Sequence, residues 1–332
     1  MAERTFPAPV EDILRRLAAD RTSGASSLLE LAASAFSALS SSTVSTGSRA
    51  LASEVEDLCR DIVAIQPFMA PLYNLCARVL PHADPKLPLP NMKRAVARAA
   101  AHHADGASAG LERAAAQAAK LVMEGGRVLV LSSSAAVQRS LELARTDRKR
   151  FFVVVLESRP MLEGRTTAAR LAAAGIPVEL TIDAALVTEV RRASQILVGA
   201  DALTDQVLVN KCGTLALALV AKEYGVPLFA IAENSKLLPN GLLPENDRPR
   251  DAREVWDGAP EGVTVHNRYF EKVPLKYVRT FALEDGPADE RSVKKRLEKP
   301  GPGQATLVDL LRYAGRAPVQ GGMALQAAPP AL

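Results

Sequence analysis

Apolar residues in the first 120 positions recur three and four apart, as in Ile13, Leu14 and Leu17 and again in Leu28, Leu31, Ala32, Ala35 and Leu39. That spacing lines one face of an α-helix, and almost no alternating or β-branched run interrupts it. Two stretches break the period: SSSTVSTGS at 40–48 and PHADPKLPLP at 81–90. Serine hydroxyls compete for backbone partners and proline removes a donor, so both are expected to connect helices.

The texture changes at residue 127. Short β-branched runs at 128–131, 151–156, 178–182, 196–198 and 228–231 alternate with alanine-rich helical stretches near 134–145, 165–174, 184–193 and 212–224. Strands apolar on both faces, each followed by a helix, predict a parallel sheet covered on both sides, a doubly wound Rossmann-like α/β fold. Gly175 and Gly225, each with a proline two residues on (Pro177, Pro227), are the expected helix stops, and Asp183 is a natural N-cap. The expected organisation is a helical N-terminal domain over 1–120 and an α/β domain over 121–300 that carries the site. The remainder, 301–332, is expected to hold a short helix around Leu307 to Tyr313 and a tail too poor in apolar surface to order itself.

Composition narrows the function classes. The 332 residues carry 41 Lys and Arg against 37 Asp and Glu, a net charge of +4, with 4% aromatics. No concentrated basic stripe interleaved with aromatics is present, so nucleic acid is not an expected partner. Cys59, Cys76 and Cys212 are widely spaced and odd in number, which fits a reducing compartment better than a disulfide framework. The N-terminus shows no secretory pattern, and no apolar run approaches the ~18 residues of a spanning helix, so the expectation is a cytoplasmic protein without a membrane partner.

In open α/β sheets, ligands gather at the carboxyl ends of the strands. Those positions are polar in this chain: Ser132, Ser133 and Ser134 after the first strand, and Glu157, Ser158 and Arg159 after the second. Asp183 follows the third, Asp201 the fourth, and Glu233, Asn234, Ser235 and Lys236 the fifth. A further cluster, Asn210, Lys211, Gly213 and Thr214, is expected to open a helix. Hydroxyls and amides at helix N-termini suit phosphate, Arg159 and Lys211 add positive charge, and carboxylates suit sugar hydroxyls. The bland alternative for any one of these residues is an N-cap or a local ion pair; their convergence on one edge favours a pocket. No GxGxxG after a strand, GxxxxGK[ST], GxSxG or HExxH occurs. His82, His102, His103 and His266 form no ligand set and are expected at the surface or in loops, so neither metal nor cofactor is expected.

The succession VLVLSSSAAV, VLESRPMLEGR, IPVELTIDAAL, ILVGADAL, VNKCGTLALALVAKEYGVPLFAIAE and HNRYFEKVP followed by LEDG closely resembles the translation initiation factor 2B alpha/beta/delta family. That family also contains methylthioribose-1-phosphate isomerase and ribose-1,5-bisphosphate isomerase. DRTSGAS at 20–26 and IQPFMAPLYN at 65–74 look like weaker forms of its N-terminal motifs. The resemblance implies a phosphosugar or nucleotide pocket between a helical and a Rossmann-like domain, and homo-oligomers formed through the C-terminal domain. In the isomerases, the ring of an aldose 1-phosphate opens and a proton or hydride moves between C1 and C2, carried by a cysteine after the first strand and an aspartate after the fourth.

Asp201, in VGAD, stands at the aspartate position, and Ser132 occupies that of the cysteine. Asn210 and Lys211 match the paired substrate-holding residues, and Glu157 and Arg159 the ESRP-type motif. Gly24 and Ala25 sit where an N-terminal loop meets phosphate, and Ser134 joins them as a binding hydroxyl. Gln66 stands where the isomerases tend to carry an arginine. A thiol titrates near ~8.5, whereas an unassisted serine hydroxyl is far too weak an acid. Two readings follow: a phosphopentose or nucleotide binder with aldose-ketose isomerase activity, and a non-catalytic regulatory or interaction subunit.

Overall fold

Residues 6–299, 301 and 303–313 are described by the structure, a computed structural model. Helices α1 (Ala8–Ala19), α2 (Ala25–Ser42), α3 (Ser48–Ile65), α4 (Ala70–Val79) and α5 (Leu89–Leu121) build the N-terminal part. Buried positions keep the helical period, with Val10, Leu14 and Leu17 in α1 and Leu51, Val55, Leu58 and Ile62 in α3. Helix α4 is buried almost throughout and forms the centre of this core. Helix α5, with 33 residues, is about 50 Å long. It lays Met92, Val96 and Ala100 into the helical core and Ala114, Ala118 and Ala119 against the sheet, so one rod belongs to both layers.

The rest of the chain runs β1 (Gly126–Leu131), α6 (Ala135–Thr146), β2 (Phe151–Leu156), α7 (Glu163–Ala173), β3 (Val178–Thr181), α8 (Leu186–Arg192) and β4 (Gln195–Val198). It continues through β5 (Ala202–Leu203), β6 (Val207–Lys211), α9 (Thr214–Tyr224), β7 (Leu228–Ile231), β8 (Phe270–Pro274), β9 (Thr280–Leu283) and β10 (Gly286–Ala288) to α10 (Glu290–Leu297) and α11 (Gln304–Tyr313). Seven strands form one sheet in the order β10-β9-β7-β4-β1-β2-β3, parallel except for the β9–β10 hairpin. Alternate residues of β1 and β4 face opposite cores: Val128, Val130 and Leu197 pack with α5 and α6, while Leu129, Ile196 and Val198 pack with α8 and α9. This is the doubly wound arrangement that the apolar runs predict.

The expected strands agree with the observed ones to within two residues, and Gly175 and Gly225 adopt the left-handed conformation after α7 and α9. Three points differ. Strand β3 pairs only with β2 at the sheet edge, so Leu180 is half-exposed instead of covered. Asn210 and Lys211 do not open a helix; they end β6 in a small antiparallel sheet, β5-β6-β8, and α9 begins beyond Gly213 at φ +102°. His103 is partly buried on α5, where burial lowers its imidazole to about 4, while His102 beside it is exposed as expected. Lys149 donates to the carbonyls of Ala119, Lys120 and Val122 at 2.7–3.0 Å and closes the C-terminus of α5. The short helix expected near 307–313 is present as α11, while the expected tail from 314 onward lies outside the described residues.

Candidate active site

Strands β1, β4 and β7 are neighbours in the sheet, so the segments that leave their carboxyl ends lie side by side. Together with the start of α2, the first turns of α6 and α7, and the ends of β6 and β8, they enclose a cavity of about 300 Å³. Close approach at its floor depends on Gly199, where a Cβ would lie 2.4 Å from the Ser134 hydroxyl.

One end of the cavity can hold an anion. The starts of α2 and α6 abut, and a Cβ on Gly24 would lie 3.8 Å from the Ser133 carbonyl oxygen. The first-turn N–H groups of a helix lack intrahelical partners and carry the positive end of its dipole, so two such ends facing one space attract phosphate. Ser134 caps α6 by accepting from the Val137 N–H at 3.4 Å. Two guanidinium groups flank this end: Arg21, paired with Glu254 at 2.6 Å, and Arg170, which donates to Gln138 at 3.4 Å.

The cavity lining also carries carboxylates and lysines. Asp201 accepts no side-chain hydrogen bond among the described residues, while its backbone is pinned by Asp201 N–H to Val209 O and Ala70 N–H to Asp201 O, both at 2.9 Å. Burial pushes the Asp201 carboxyl up to about 6, helped by Glu233 and Glu163 and opposed by Lys236 and Lys211. Glu163 is almost wholly buried and takes two partners on Oε1, the Lys211 ammonium at 2.7 Å and the Ser132 hydroxyl at 2.9 Å. Its Oε2 is buried without a partner among the described residues. Lys211 also lies 4.8 Å from the centroid of the Tyr269 ring, a cation–π contact.

Ser132 is held in a costly conformation. Its φ of +69° is left-handed, a region that non-glycine residues enter at roughly 1 kcal/mol or more. Two bonds fix it there: its N–H donates to Ser158 Oγ at 2.8 Å, and Thr167 Oγ1 donates to its carbonyl at 3.0 Å. The result aims the hydroxyl at Glu163, on the cavity wall.

Of the residues singled out from sequence, Gly24, Ala25, Ser132, Ser134, Asp201, Asn210 and Lys211 line this cavity. Glu157 and Arg159 are not in its lining: Glu157 pairs with Arg165 at 3.0 Å, and Arg159 reaches out to the Val255 carbonyl at 3.3 Å. The positive charge assigned to Arg159 is supplied instead by Arg21, Arg170, Lys211 and Lys236. Gln66 is buried away from the cavity and donates to the Leu17 carbonyl at 3.3 Å. Sequence reasoning missed Glu163, Thr166 and Arg170, which lie at i, i+3 and i+7 on α7 and therefore share one face. That polar stripe within an alanine-rich helix was the available signal.

Residues 21–288 match the family described as Initiation factor 2 subunit family. A Pyrococcus horikoshii protein named putative translation initiation factor eIF-2B subunit 2-like is 32% identical over 282 residues, covering 85% of this chain and 96% of that protein. A ribose 1,5-bisphosphate isomerase of Haloterrigena turkmenica is 30% identical over 286 residues, 81% of this chain and 87% of the relative. The crystal structure of the Pyrococcus horikoshii translation initiation factor eIF-2B superposes with a TM-score of 0.74 at 30% identity, covering 85% of this chain and 97% of that one. With this match spanning both layers and every strand end of the cavity, the chain belongs to the Initiation factor 2 subunit family.

Proposed function

We propose that the cavity binds a phosphorylated pentose or nucleotide, and that the chain isomerises a pentose 1-phosphate, of the ribose 1,5-bisphosphate or methylthioribose 1-phosphate type, from aldose to ketose. The observation that carries this reading is Asp201: a carboxyl raised to about 6 in a cavity that two helix N-termini also line. Such a group holds a proton in a useful fraction of molecules near neutrality and releases it readily.

The phosphate sits at the starts of α2 and α6, and the sugar extends toward Asp201. Asp201 gives its proton to the ring oxygen as the bond from that oxygen to C1 breaks. The hydrogen on C2 then moves to C1, and the C2 hydroxyl loses its proton as the ketone forms. Ser132 takes that proton while passing its own to Glu163, 2.9 Å away, so the hydroxyl acts as a relay and never carries a full negative charge. Lys211 turns from Glu163 toward the oxygen on which charge develops, leaving the Glu163 carboxylate free to accept the proton. Solvent returns the proton from Glu163 to Asp201 between turnovers. Asn210, locked by its donation to Thr214 Oγ1 at 3.0 Å, keeps its carbonyl oxygen available to a sugar hydroxyl.

A second reading, a non-catalytic regulatory subunit that senses the ligand, draws support from the serine at the thiol position and from the Glu163–Lys211 ion pair. In either reading we propose self-association through the C-terminal domain, where Leu180, Ile182 and Val187 are exposed near the open sheet edge. We also propose a reducing cytoplasm, in which Cys59, Cys76 and Cys212 are free thiols. No helix among the described residues is long and apolar enough to cross a membrane.

The two readings separate by incubating the full chain with ribose 1,5-bisphosphate and with methylthioribose 1-phosphate while following anomeric and ketose signals by NMR. The isomerase reading expects a ketose from one of them and a loss of 10²-fold or more in Asp201→Asn. Thermal stabilisation by a phosphosugar without conversion supports the sensor. Neither conversion nor binding overturns both.

A further inference from the structure

The family match ends at residue 288, and the chain beyond it does something the sheet domain does not require. Helix α10 stays with the sheet, packed beside β10 with its Val293 buried in the sheet-side core. Helix α11 instead crosses to the other layer and buries Leu307 completely in the helical core. Its entry is tight: Gly303, at φ +76°, lies so close to α4 that a Cβ would sit 1.8 Å from the Ala77 carbonyl oxygen. Only glycine fits there.

The first residue of α11 then connects to the candidate site through a chain of oriented amides. Gln304 is buried; its Oε1 accepts the Gly301 N–H at 2.7 Å, which leaves its Nε2 to donate to Asn74 Oδ1 at 2.9 Å. Asn74, also buried, spends both N–H groups on backbone carbonyls, those of Ser235 at 2.7 Å and Leu237 at 2.8 Å. A flipped Asn74 would set its oxygen against two carbonyl oxygens and its nitrogen against the Gln304 donor, so each amide permits one orientation of the other. The carbonyls so held belong to the turn Asn234–Lys236 and its exit. In that turn Ser235 Oγ donates to Glu233 Oε1 at 2.9 Å, and Lys236 lies 3.7 Å from the same oxygen. Glu233 and Lys236 both line the cavity.

We propose that Gln304 is a positioning residue, and that α11, through Gln304 and Asn74, sets the turn that places Lys236 and Glu233 in the cavity. The C-terminal helix is thereby a part of the site that only the chain beyond the family segment supplies. Its effect on ligand binding rests on the function proposed above; its effect on the turn does not.

The charged groups that face Asp201 are Lys236, Lys211, Glu233 and Glu163. Lys236 lowers the Asp201 midpoint more than Glu233 raises it, so displacing both with the turn raises that midpoint, which reports the turn without any ligand. The test is carboxyl-carbon NMR titration of the full chain as wild type, Gln304→Leu and the milder Gln304→Asn, with Val293→Ala as a variant destabilised elsewhere. The expected result is a midpoint about one pH unit higher in the Gln304 variants and unmoved in Val293→Ala. An unmoved midpoint in folded Gln304→Leu or Gln304→Asn overturns the proposal, as does an equal rise in Val293→Ala. Calorimetry with ribose 1,5-bisphosphate adds a second arm, with affinity expected to fall about tenfold in the Gln304 variants alone. A wild type that fails to bind this ligand counts against the proposed function, while the midpoint still decides the role of Gln304.

Discussion

Asp201 shows how one residue's surroundings set both chemistry and stability. Its carboxyl is raised from 3.8 to about 6, chiefly by burial. A carboxyl raised on folding contributes stability while protonated; that contribution is complete below about pH 4 and is lost as pH rises through about 6. The loss amounts to roughly 3 kcal/mol. Denaturant unfolding across this range is expected to show the decline in wild type and not in Asp201→Asn, which keeps the shape without the titrating proton; parallel curves for the two proteins would contradict this account. Ser132 is the second decisive residue. Its strained φ and its bond to Glu163 are part of the arrangement that a cysteine would inherit, so Ser132→Cys is expected to retain turnover, and Ser132→Ala to lose 10²-fold or more in kcat at unchanged fold. Equal activity in Ser132→Ala and wild type would remove the relay.

At the scale of elements, the site depends on how strand ends meet helix starts. Helix α7 is pressed onto the end of β2 at Gly164, where a Cβ would lie 2.0 Å from the Leu156 carbonyl oxygen and 2.9 Å from Glu157 Cα. Backbone cannot yield as a side chain does, so Gly164→Ala is expected to cost about 3 kcal/mol and to shift Glu163 off Ser132. Gly106→Ala, exposed on α5 with no atom within 4 Å of the added methyl, is expected to stabilise by about 0.5–1 kcal/mol. Denaturant midpoints check both signs. Strands β1, β2, β4 and β7 were legible because each is an apolar run that a covered sheet accommodates; β3 was legible although its edge position leaves it partly exposed, and the parallel strand β9 was not foreseen. Strand β6 was not, because Asn210 and Lys211 turn polar where it enters the site; nor was β8, where Glu271 faces Asn210 in register and caps α9 by accepting from the Gly213 and Leu215 N–H groups at 2.7 and 2.8 Å. Residues chosen for a site read as breaks in the pattern of the element that carries them. The same cause hid Arg21 and Tyr269, whose roles depend on Glu254 from a long loop that no local pattern brings near either one.

Across the whole molecule, the two layers are joined by α5 and α11, and both connect through other residues to the turn that carries Lys236. On α5, Gly110 leaves room for Glu284, which accepts the Asn234 N–H at 2.6 Å and pairs with Arg113 at 2.6 Å. The turn bearing Lys236 is therefore gripped by Glu284 from the sheet side and by Asn74 from the helical side, and its charges follow the relative position of the two layers. A cavity between layers held in this way suits a phosphosugar that must be oriented at both ends. The central claim is that Asp201, in its acid form, opens that sugar. Its most direct test is kcat/KM for ribose 1,5-bisphosphate and methylthioribose 1-phosphate between pH 4.5 and 8.5, in wild type and in Asp201→Asn. With the phosphosugar that is turned over, the wild-type rate is expected to fall about tenfold per pH unit above roughly 6, and the variant to be at least 10²-fold slower throughout. Turnover independent of pH across that range, or an Asp201→Asn variant as fast as wild type, would contradict that claim.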